Sequence, residues 1–284
     1  MRGRRDERHG VTRPFADRAV VITGASDGIG AELARQFADQ GAWLALAARR
    51  AHELDLVAQA CIARGGRAIV VPTDVTDPAQ CEHLMARAHE AYGKVDVLVN
   101  NAGIGAHFLF EPPLDLGVFE RLMRVNYLGA VHCTYYALPA LRESRGRLVA
   151  ISSLAGKTGV PGRTAYAATK HAMHGFFDSL RIELETSGVT VTVVAPGFVR
   201  TDIRRHALGA DGTPLGESPL AESDVMPLEE CVRLSIGAIE RRERELVMTP
   251  RWMLSAMLKV VAPQMIDKAA ARTMEDRSTR HNIE

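Results

Sequence analysis

Residues 18–30 read RAVVITGASDGIG, a short apolar run followed by a turn that contains three glycines. The β-branched residues that lead to Thr23 predict a strand, and the apolar spacing after the turn predicts a helix. Gly24 permits a tight turn, Gly28 lets a ligand approach the backbone closely, and Gly30 lets the helix pack against the sheet. The pattern favours a phosphate-binding turn, and a purely structural turn is the alternative, since any strand-to-helix turn favours glycine.

The same order of strand and helix recurs along the chain, with a helix predicted, for example, from residue 78 to residue 92. The strands are apolar throughout and do not alternate, which indicates a parallel sheet buried on both faces. We therefore predict an α/β fold, a doubly wound seven-stranded parallel sheet with helices on both faces, Rossmann-like and in a single domain. The predicted strands are 18–23, 43–48, 67–72, 95–100, 146–152, 189–195 and 244–249.

Length and composition fit one α/β domain with extensions. The chain has 284 residues, of which 46% are hydrophobic and 24% charged, so disorder of the whole chain is excluded. We expect a flexible basic tail over 1–14, a nucleotide-binding domain over 15–250 and a C-terminal helical extension over 251–284. The extension could cover the substrate cleft, pack on a subunit partner or lie on a membrane interface. Packing is favoured because the extension lacks a basic polar face.

Charge and cysteine usage exclude several classes of function. The net charge of +1 gives no electrostatic reason for nucleic-acid binding. The four cysteines lie far apart, which predicts neither a disulfide framework nor a zinc site and is consistent with a cytoplasmic protein. His171 and His174 stand three residues apart without a third ligand, so we expect them on a helix surface or interface and predict no metal site.

The residues after the second strand bear on which dinucleotide would bind. An acidic residue there suits the ribose hydroxyl of NAD, whereas Arg49 and Arg50 follow directly in this chain and suit the phosphate of NADP. The alternative is that both arginines only begin a solvated helix face. Asp27 weighs slightly against a doubly phosphorylated nucleotide, so NADP is preferred and NAD remains the second choice. Asp74, after the third strand, could contact adenine, cap the following turn, or do both.

Further motifs follow in chain order: NNAG at 100–103, Asn126, a serine pair at 152–153, YAATK at 166–170, and Pro196-Gly197 followed by Thr201. Together with TGASDGIG, this set resembles the short-chain dehydrogenase/reductase family over roughly 15–249. The resemblance implies a nicotinamide nucleotide held by these residues: Gly24, Ser26, Asp27, Gly28, Ile29, Gly30, Arg49, Asp74, Val75, Asn101, Ala102, Gly103, Tyr166, Lys170, Pro196, Gly197, Val199 and Thr201.

The resemblance also implies that Asn126, Ser153, Tyr166 and Lys170 are catalytic. Tyr166 and Lys170 are four residues apart and so share one face of a helix. A cation close to a phenol favours the phenolate, so we expect Lys170 to lower the pKa of Tyr166, which would then act as general acid or base. Ser153 would hold the substrate oxygen. By resemblance, Lys170 also bonds the nicotinamide ribose, and Asn126 holds a water that connects Lys170 to solvent.

The sequence thus predicts an NADP-dependent oxidoreductase that interconverts a secondary alcohol and a ketone or aldehyde. We expect an apolar small-molecule substrate, because 104–113, the loop 204–226 and the extension would form walls with few fixed charges. Family members often pair helices equivalent to 115–143 and 164–186, which implies a homodimer or homotetramer. One alternative is a non-catalytic NADP-binding regulator or scaffold. Another is a sugar epimerase, although such relatives are usually longer.

Overall fold

The computed structural model describes residues 13–216, 225–248, 258–259, 261–268 and 270–271. In these residues one seven-stranded sheet has the order β3-β2-β1-β4-β5-β6-β7, and every neighbouring pair is parallel. The predicted doubly wound sheet is therefore confirmed. The strands are β1 Ala19–Thr23, β2 Trp43–Ala48, β3 Arg67–Pro72, β4 Val97–Asn100, β5 Arg147–Ile151, β6 Thr190–Ala195 and β7 Glu245–Val247.

Helices connect the strands and cover both faces of the sheet. The predicted helix 78–92 has the bounds expected, since Asp77 caps its first turn and Gly93 ends it in the left-handed conformation. The helices are α1 Gly28–Asp39, α2 Ala51–Ala63, α3 Pro78–Tyr92, α4 Gly117–Leu122, α5 Gly129–Ser144, α6 Thr164–Glu183 and α7 Leu228–Glu240, and a π-helical segment, Met123–Leu128, joins α4 to α5.

The core consists of two apolar layers, one on each side of the sheet. Successive residues of a strand point to opposite faces, so Val20 and Ile22 join one layer and Val21 joins the other. Helices α1, α2 and α7 cover the first layer, and α3, α5 and α6 cover the second. Phe37 of α1 is fully buried in the first layer and meets the ring of Phe15 edge-on, with 4.9 Å between ring centres.

The strand order places a crevice between β1 and β4. From β1 the chain proceeds outward to β2 and β3, then returns and continues from β4 in the other direction. Loops that leave the carboxyl ends of β1 and β4 therefore diverge, and open α/β sheets bind ligands at such a point. The fold alone locates the candidate site at this edge of the sheet.

The two predicted extensions fall mostly on residues that the structure does not describe. Residues 1–12 of the predicted basic tail lie outside the described part of the chain, as do 217–224 of the loop 204–226. Within 251–284, the described residues 258–259, 261, 263–268 and 270–271 are helical. Among the described residues, none of the helices combines the length and apolarity that crossing a membrane would require.

We expect Phe37→Ala to lower the free energy of unfolding by about 3–5 kcal/mol, because it removes a fully buried ring and leaves a cavity. Urea denaturation of both proteins measures this difference. Leu56→Ala on α2 is the control, since Leu56 is 53% exposed, and its effect should stay within about 0.5 kcal/mol. Equal losses in the two variants would contradict the core assignment.

Candidate active site

A cleft of about 830 Å³ opens at the carboxyl ends of the strands, where the crevice was expected. Its lining includes Ser153 and every residue predicted to hold a nucleotide except Gly30, which is buried behind it. Asn126 is catalytic by prediction but lies behind the lining, fully buried. Ser152, Leu154 and Arg163 also line the cleft and were missed by the sequence analysis.

The glycine turn between β1 and α1 leaves no room for a side chain at Gly24 or Gly30. Gly24 has a φ of +64°, and a Cβ there would lie 2.8 Å from the Cα of Ala102. A Cβ on Gly30 would lie 2.2 Å from the carbonyl oxygen of Gly24 and 2.5 Å from the amide nitrogen of Asn101. The roles predicted for Gly24 and Gly30, a tight turn and close packing, therefore agree with the geometry. The N-terminus of α1 is left facing the cleft, which suits an anionic group.

Hydrogen bonds join the ends of β1 and β4 below this turn. The hydroxyl of Thr23 accepts from the backbone N–H groups of Asn101 and Ala102, both at 3.0 Å. The side-chain amide of Asn101 donates to the carbonyl oxygens of Thr23 at 2.9 Å and Gly24 at 3.1 Å. Asn101 thus holds the shape of the glycine turn from the side of β4.

The carboxylate of Asp27 has partners within the turn and on Arg50. Its carboxylate caps α1 by accepting from the N–H of Gly28 at 2.6 Å, and it lies 3.9 Å from the guanidinium of Arg50. Arg50 also donates to the hydroxyl of Ser26 at 3.2 Å. The charge of Asp27 is therefore a weaker objection to a phosphorylated ligand than its sequence position suggested. The sequence analysis considered Arg50 as a phosphate ligand or as part of a solvated helix face. It did not predict these contacts, because they run from the end of β2 to another turn.

Arg49 and Asp74 mark the far end of the cleft. Arg49 is exposed and lines the cleft. Asp74 accepts from the N–H of Thr76 at 2.9 Å and from the Thr76 hydroxyl at 2.8 Å, so it caps the turn after β3 while also lining the cleft. Asp74 therefore caps this turn and also lies where it could contact adenine, so the two predicted roles are compatible.

Asn126 lies in the π-helical segment between α4 and α5 and is fully buried. Its side-chain oxygen accepts from the N–H of Ile104 at 2.8 Å, and its nitrogen donates to the Ile104 carbonyl at 3.0 Å and to the Thr169 hydroxyl at 3.0 Å. These bonds tie the loop after β4 to α6. The observed contacts of Asn126 position the loop, and the water-holding role implied by resemblance stays a prediction.

Tyr166 lies on the first turn of α6, buried at the cleft wall. Burial raises the pKa of its phenol, while Arg163 nearby and a hydrogen bond with Ser153 lower it. The predicted lowering of this pKa by Lys170 is wrong for the described structure: loss of hydration dominates, and the cation that opposes it is Arg163. The centre of the Tyr166 ring lies 5.7 Å from the guanidinium carbon of Arg163 and 5.6 Å from the Lys170 nitrogen.

Lys170 is buried one turn further along α6. Its ammonium donates to the carbonyl oxygen of Ile151 at 2.9 Å and contacts the sulfur of Met173 at 3.5 Å. Burial lowers the pKa of Lys170 to about 8, so the side chain still carries a positive charge at neutral pH. The side chains of Tyr166 and Lys170 thus share one face of α6, as the spacing predicted.

The predicted surface position of His174 is wrong. His174 is only 7% exposed, and burial lowers its pKa to about 4, whereas His171 is exposed and contacts the carbonyl oxygen of Ala167. His174 is buried because it lies on the face of α6 whose apolar residues pack against the sheet. Within the described residues there is no cluster of three or more potential metal ligands.

The other end of the cleft has both apolar and basic walls. A small apolar cluster surrounds Tyr166 and includes Ala106, Phe108 and Leu122. The expectation of few fixed charges is wrong, because several arginines line the cleft. They come from three separate segments, which the sequence analysis did not bring together: Arg121, Arg124, Arg163 and Arg204.

Known proteins resemble this chain in sequence. A family model described as short chain dehydrogenase matches residues 18–210. Dehydrogenase/reductase SDR family member 7B of Bos taurus is 35% identical over 275 residues, covering 93% of this chain and 83% of that protein. The 11-beta-hydroxysteroid dehydrogenase-like 3 of Arabidopsis thaliana is 36% identical over 255 residues, covering 89% of this chain and 80% of that protein.

Solved structures match the fold as well. A short chain dehydrogenase/reductase from Burkholderia phymatum in complex with NAD has a TM-score of 0.77 and 26% identity, covering 89% of this chain and 96% of that one. An alcohol dehydrogenase from Thermococcus sibiricus, complexed with 5-hydroxy-NADP, has a TM-score of 0.71 and 26% identity, covering 81% and 94%. Since one of these proteins holds NAD and the other a derivative of NADP, the shared fold does not select between the two nucleotides.

We expect Gly30→Ala to weaken NADPH binding by at least about tenfold, because the new methyl group would meet the Gly24 carbonyl and displace the turn. Quenching of protein fluorescence on titration with NADPH measures this change. The matched control is Gly175→Ala on α6, where a Cβ would meet nothing within 4 Å. Unchanged affinity in a folded Gly30→Ala protein would contradict the assignment of the turn.

Proposed function

The chain belongs to the short-chain dehydrogenase/reductase family, and from that premise we propose that it is an NADP-dependent oxidoreductase. In this proposal it interconverts a secondary alcohol and a ketone or aldehyde on a small molecule with an apolar body. The observation that carries the proposal is the position of Ser153, Tyr166 and Lys170 on the wall of the cleft that the glycine turn also lines. A phosphate-binding turn for the nucleotide and a proton donor for the substrate thus line the same cleft.

The residues of the cleft fit a dinucleotide. The crowded turn at Gly24 and Gly30 exposes the N-terminus of α1, which suits the pyrophosphate. Asp74 and Val75 line the end suited to adenine, and Pro196, Gly197, Val199 and Thr201 also line the cleft. When bound, a nicotinamide nucleotide would supply or accept the hydride, so the protein has to provide position and a proton.

Tyr166 is the proposed proton donor and acceptor. Its raised pKa keeps the phenol protonated at neutral pH, which suits donation to the substrate oxygen during carbonyl reduction. Ser153 would donate a hydrogen bond to the same oxygen and share its developing negative charge. The Lys170 ammonium, held by the Ile151 carbonyl, would stabilise the phenolate that remains after the transfer. In alcohol oxidation the same groups would act in reverse.

We propose NADP as the preferred nucleotide on the basis of Arg49. The end of β2 has no carboxylate for a ribose hydroxyl, and Arg49 lies there, exposed at the cleft. A guanidinium offers paired N–H donors that match a phosphate. Arg50 is a poorer candidate for this role because it already pairs with Asp27 and Ser26.

We also propose a homodimer or homotetramer and a cytoplasmic location. Both helices that the resemblance pairs carry an exposed large side chain: Tyr135 on α5 is 72% exposed, and Ile182 on α6 is 74% exposed. Association through these helices would remove that surface from water. The location rests only on the buried, unpaired cysteines among the described residues, which suit a reducing compartment.

We expect Tyr166→Phe to lower kcat for NADPH-dependent reduction of a hydrophobic ketone by at least about 100-fold, because the proton donor is removed. The Kd for NADPH should change by less than about twofold, since the ring remains. Stopped-flow absorbance at the nicotinamide band measures the rate. Tyr135→Phe is the control, because its hydroxyl is exposed on α5 outside the cleft. Normal turnover by Tyr166→Phe would remove Tyr166 from the mechanism.

We expect Arg49→Gln to weaken NADPH binding by about 10- to 100-fold and to leave NADH binding unchanged, because only NADPH carries the additional phosphate. Arg50→Gln should weaken both nucleotides alike, since Arg50 supports the turn through Ser26 and Asp27. Parallel titrations with NADPH and NADH measure all four affinities. An equal loss of both nucleotides in Arg49→Gln would contradict the assignment of NADP to this residue.

A further inference from the structure

The charges that line the cleft are distributed unevenly. Among the described residues of the lining, the only carboxylates are Asp27 and Asp74, and both lie at the nucleotide end. Basic side chains from separate segments also line the cleft: Arg121, Arg124, Arg163, Arg204 and His206. One of them, Arg163, lies beside Tyr166. A cleft wall of one sign concentrates ligands of the opposite sign.

Two of these arginines also form bonds within the protein. Arg121 pairs with Asp115 at 2.8 Å and donates to the Gly212 carbonyl at 3.3 Å. Arg204 donates to the Val199 carbonyl at 3.1 Å. Both therefore help to hold the loop that begins near residue 202 against the body of the domain.

Arg163 is the basic residue placed closest to the proposed chemistry. It immediately precedes α6, and its carbonyl accepts from the N–H of Ala167 at 2.7 Å. The neighbouring Gly162 carbonyl accepts from the N–H of Phe108 at 2.9 Å, which fixes this backbone against the loop after β4. The Arg163 guanidinium carbon lies 5.7 Å from the centre of the Tyr166 ring. A cation is thus held on rigid backbone beside the proton donor.

We propose that the substrate carries a carboxylate or phosphate group a few bonds from its reacting carbonyl, and that Arg163 binds this anion. The inference rests on the proposed function, because the carbonyl is placed by Tyr166. A guanidinium stays charged at all accessible pH values and binds carboxylate or phosphate through paired hydrogen bonds. Arg163 is only half-buried, so a ligand can reach it from the cleft.

The apolar cluster around Tyr166 determines the rest of the substrate. Phe108, Leu122 and the partly buried Val160 and Leu208 surround the same end of the cleft. The substrate therefore combines an apolar body with an anionic head. The nucleotide's own phosphates do not need Arg163, since the N-terminus of α1 and Arg49 lie at the other end to receive them.

Paired substrates test this proposal. One pair is a medium-chain γ-keto acid and its methyl ester, and the other is the phosphate monoester of a medium-chain hydroxyketone and the free hydroxyketone. We expect the wild-type enzyme to prefer one or both anions over the neutral partner by about 10- to 100-fold in kcat/KM. A preference in only one pair identifies the anion as carboxylate or phosphate, and a preference in both pairs means that the site accepts either anion.

Arg163→Gln should reduce that preference by at least about tenfold, and Arg163→Lys should retain part of it. Arg163 also influences Tyr166 directly, and that effect would change both members of a pair alike, so it cancels in the ratio. Arg233→Gln is the control, because Arg233 is exposed on α7 outside the cleft. A preference near one in the wild type, or an unchanged preference in Arg163→Gln, would overturn the proposal.

A binding measurement separates this proposal from the proposed function. Calorimetric titration of the NADP-loaded protein with the keto acid and with the phosphate ester should show binding that Arg163→Gln weakens at least about tenfold. If no ketone is reduced although this binding occurs, the oxidoreductase proposal fails and the anion site stands. If neutral ketones are reduced but neither anion binds better than its partner, the anion site fails and the oxidoreductase proposal stands.

Discussion

The close approach of the backbone at the ends of β1 and β4 determines the shape of the whole site. The Thr23 hydroxyl accepts hydrogen bonds from two backbone N–H groups that follow β4. The side-chain amide of Asn101 donates two hydrogen bonds, to the carbonyl oxygens of Thr23 and Gly24. Only a glycine fits at positions 24 and 30 once these strands are joined so tightly. The same loop from β4 reaches Asn126 through Ile104, and Asn126 reaches α6 through Thr169. The phosphate turn and α6, which carries Tyr166, are therefore connected through the loop after β4 and its hydrogen bonds.

The fold and most of the site could be predicted from the sequence because their signals are local. Apolar runs of four to seven residues separated by helices give the parallel sheet, and the glycine spacing locates its switch point. Helix 78–92 matches its predicted bounds because Asp77 and Gly93 act on adjacent residues. Tyr166 and Lys170 share a face of α6 for the same reason: the spacing of a helix determines it.

The features that could not be predicted depend on contacts between distant segments. Arg50 reaches back across 24 positions to Ser26, and Arg163 joins Arg121 and Arg204 on one wall only after the loops fold together. The direction of the shift in the pKa of Tyr166 depends on the balance between lost hydration and nearby charge, and burial is a property of the packed structure. A sequence shows which charges exist but not how much water they lose.

The central claim is that one cleft holds a nicotinamide ring beside Tyr166. A crystal structure of the protein with bound NADP tests this claim most directly. The account predicts the pyrophosphate at the N-terminus of α1 and the nicotinamide ring within contact distance of the Tyr166 side chain, with the Lys170 ammonium directed toward its ribose. A nucleotide bound elsewhere, or a nicotinamide ring directed away from Tyr166, would contradict the account.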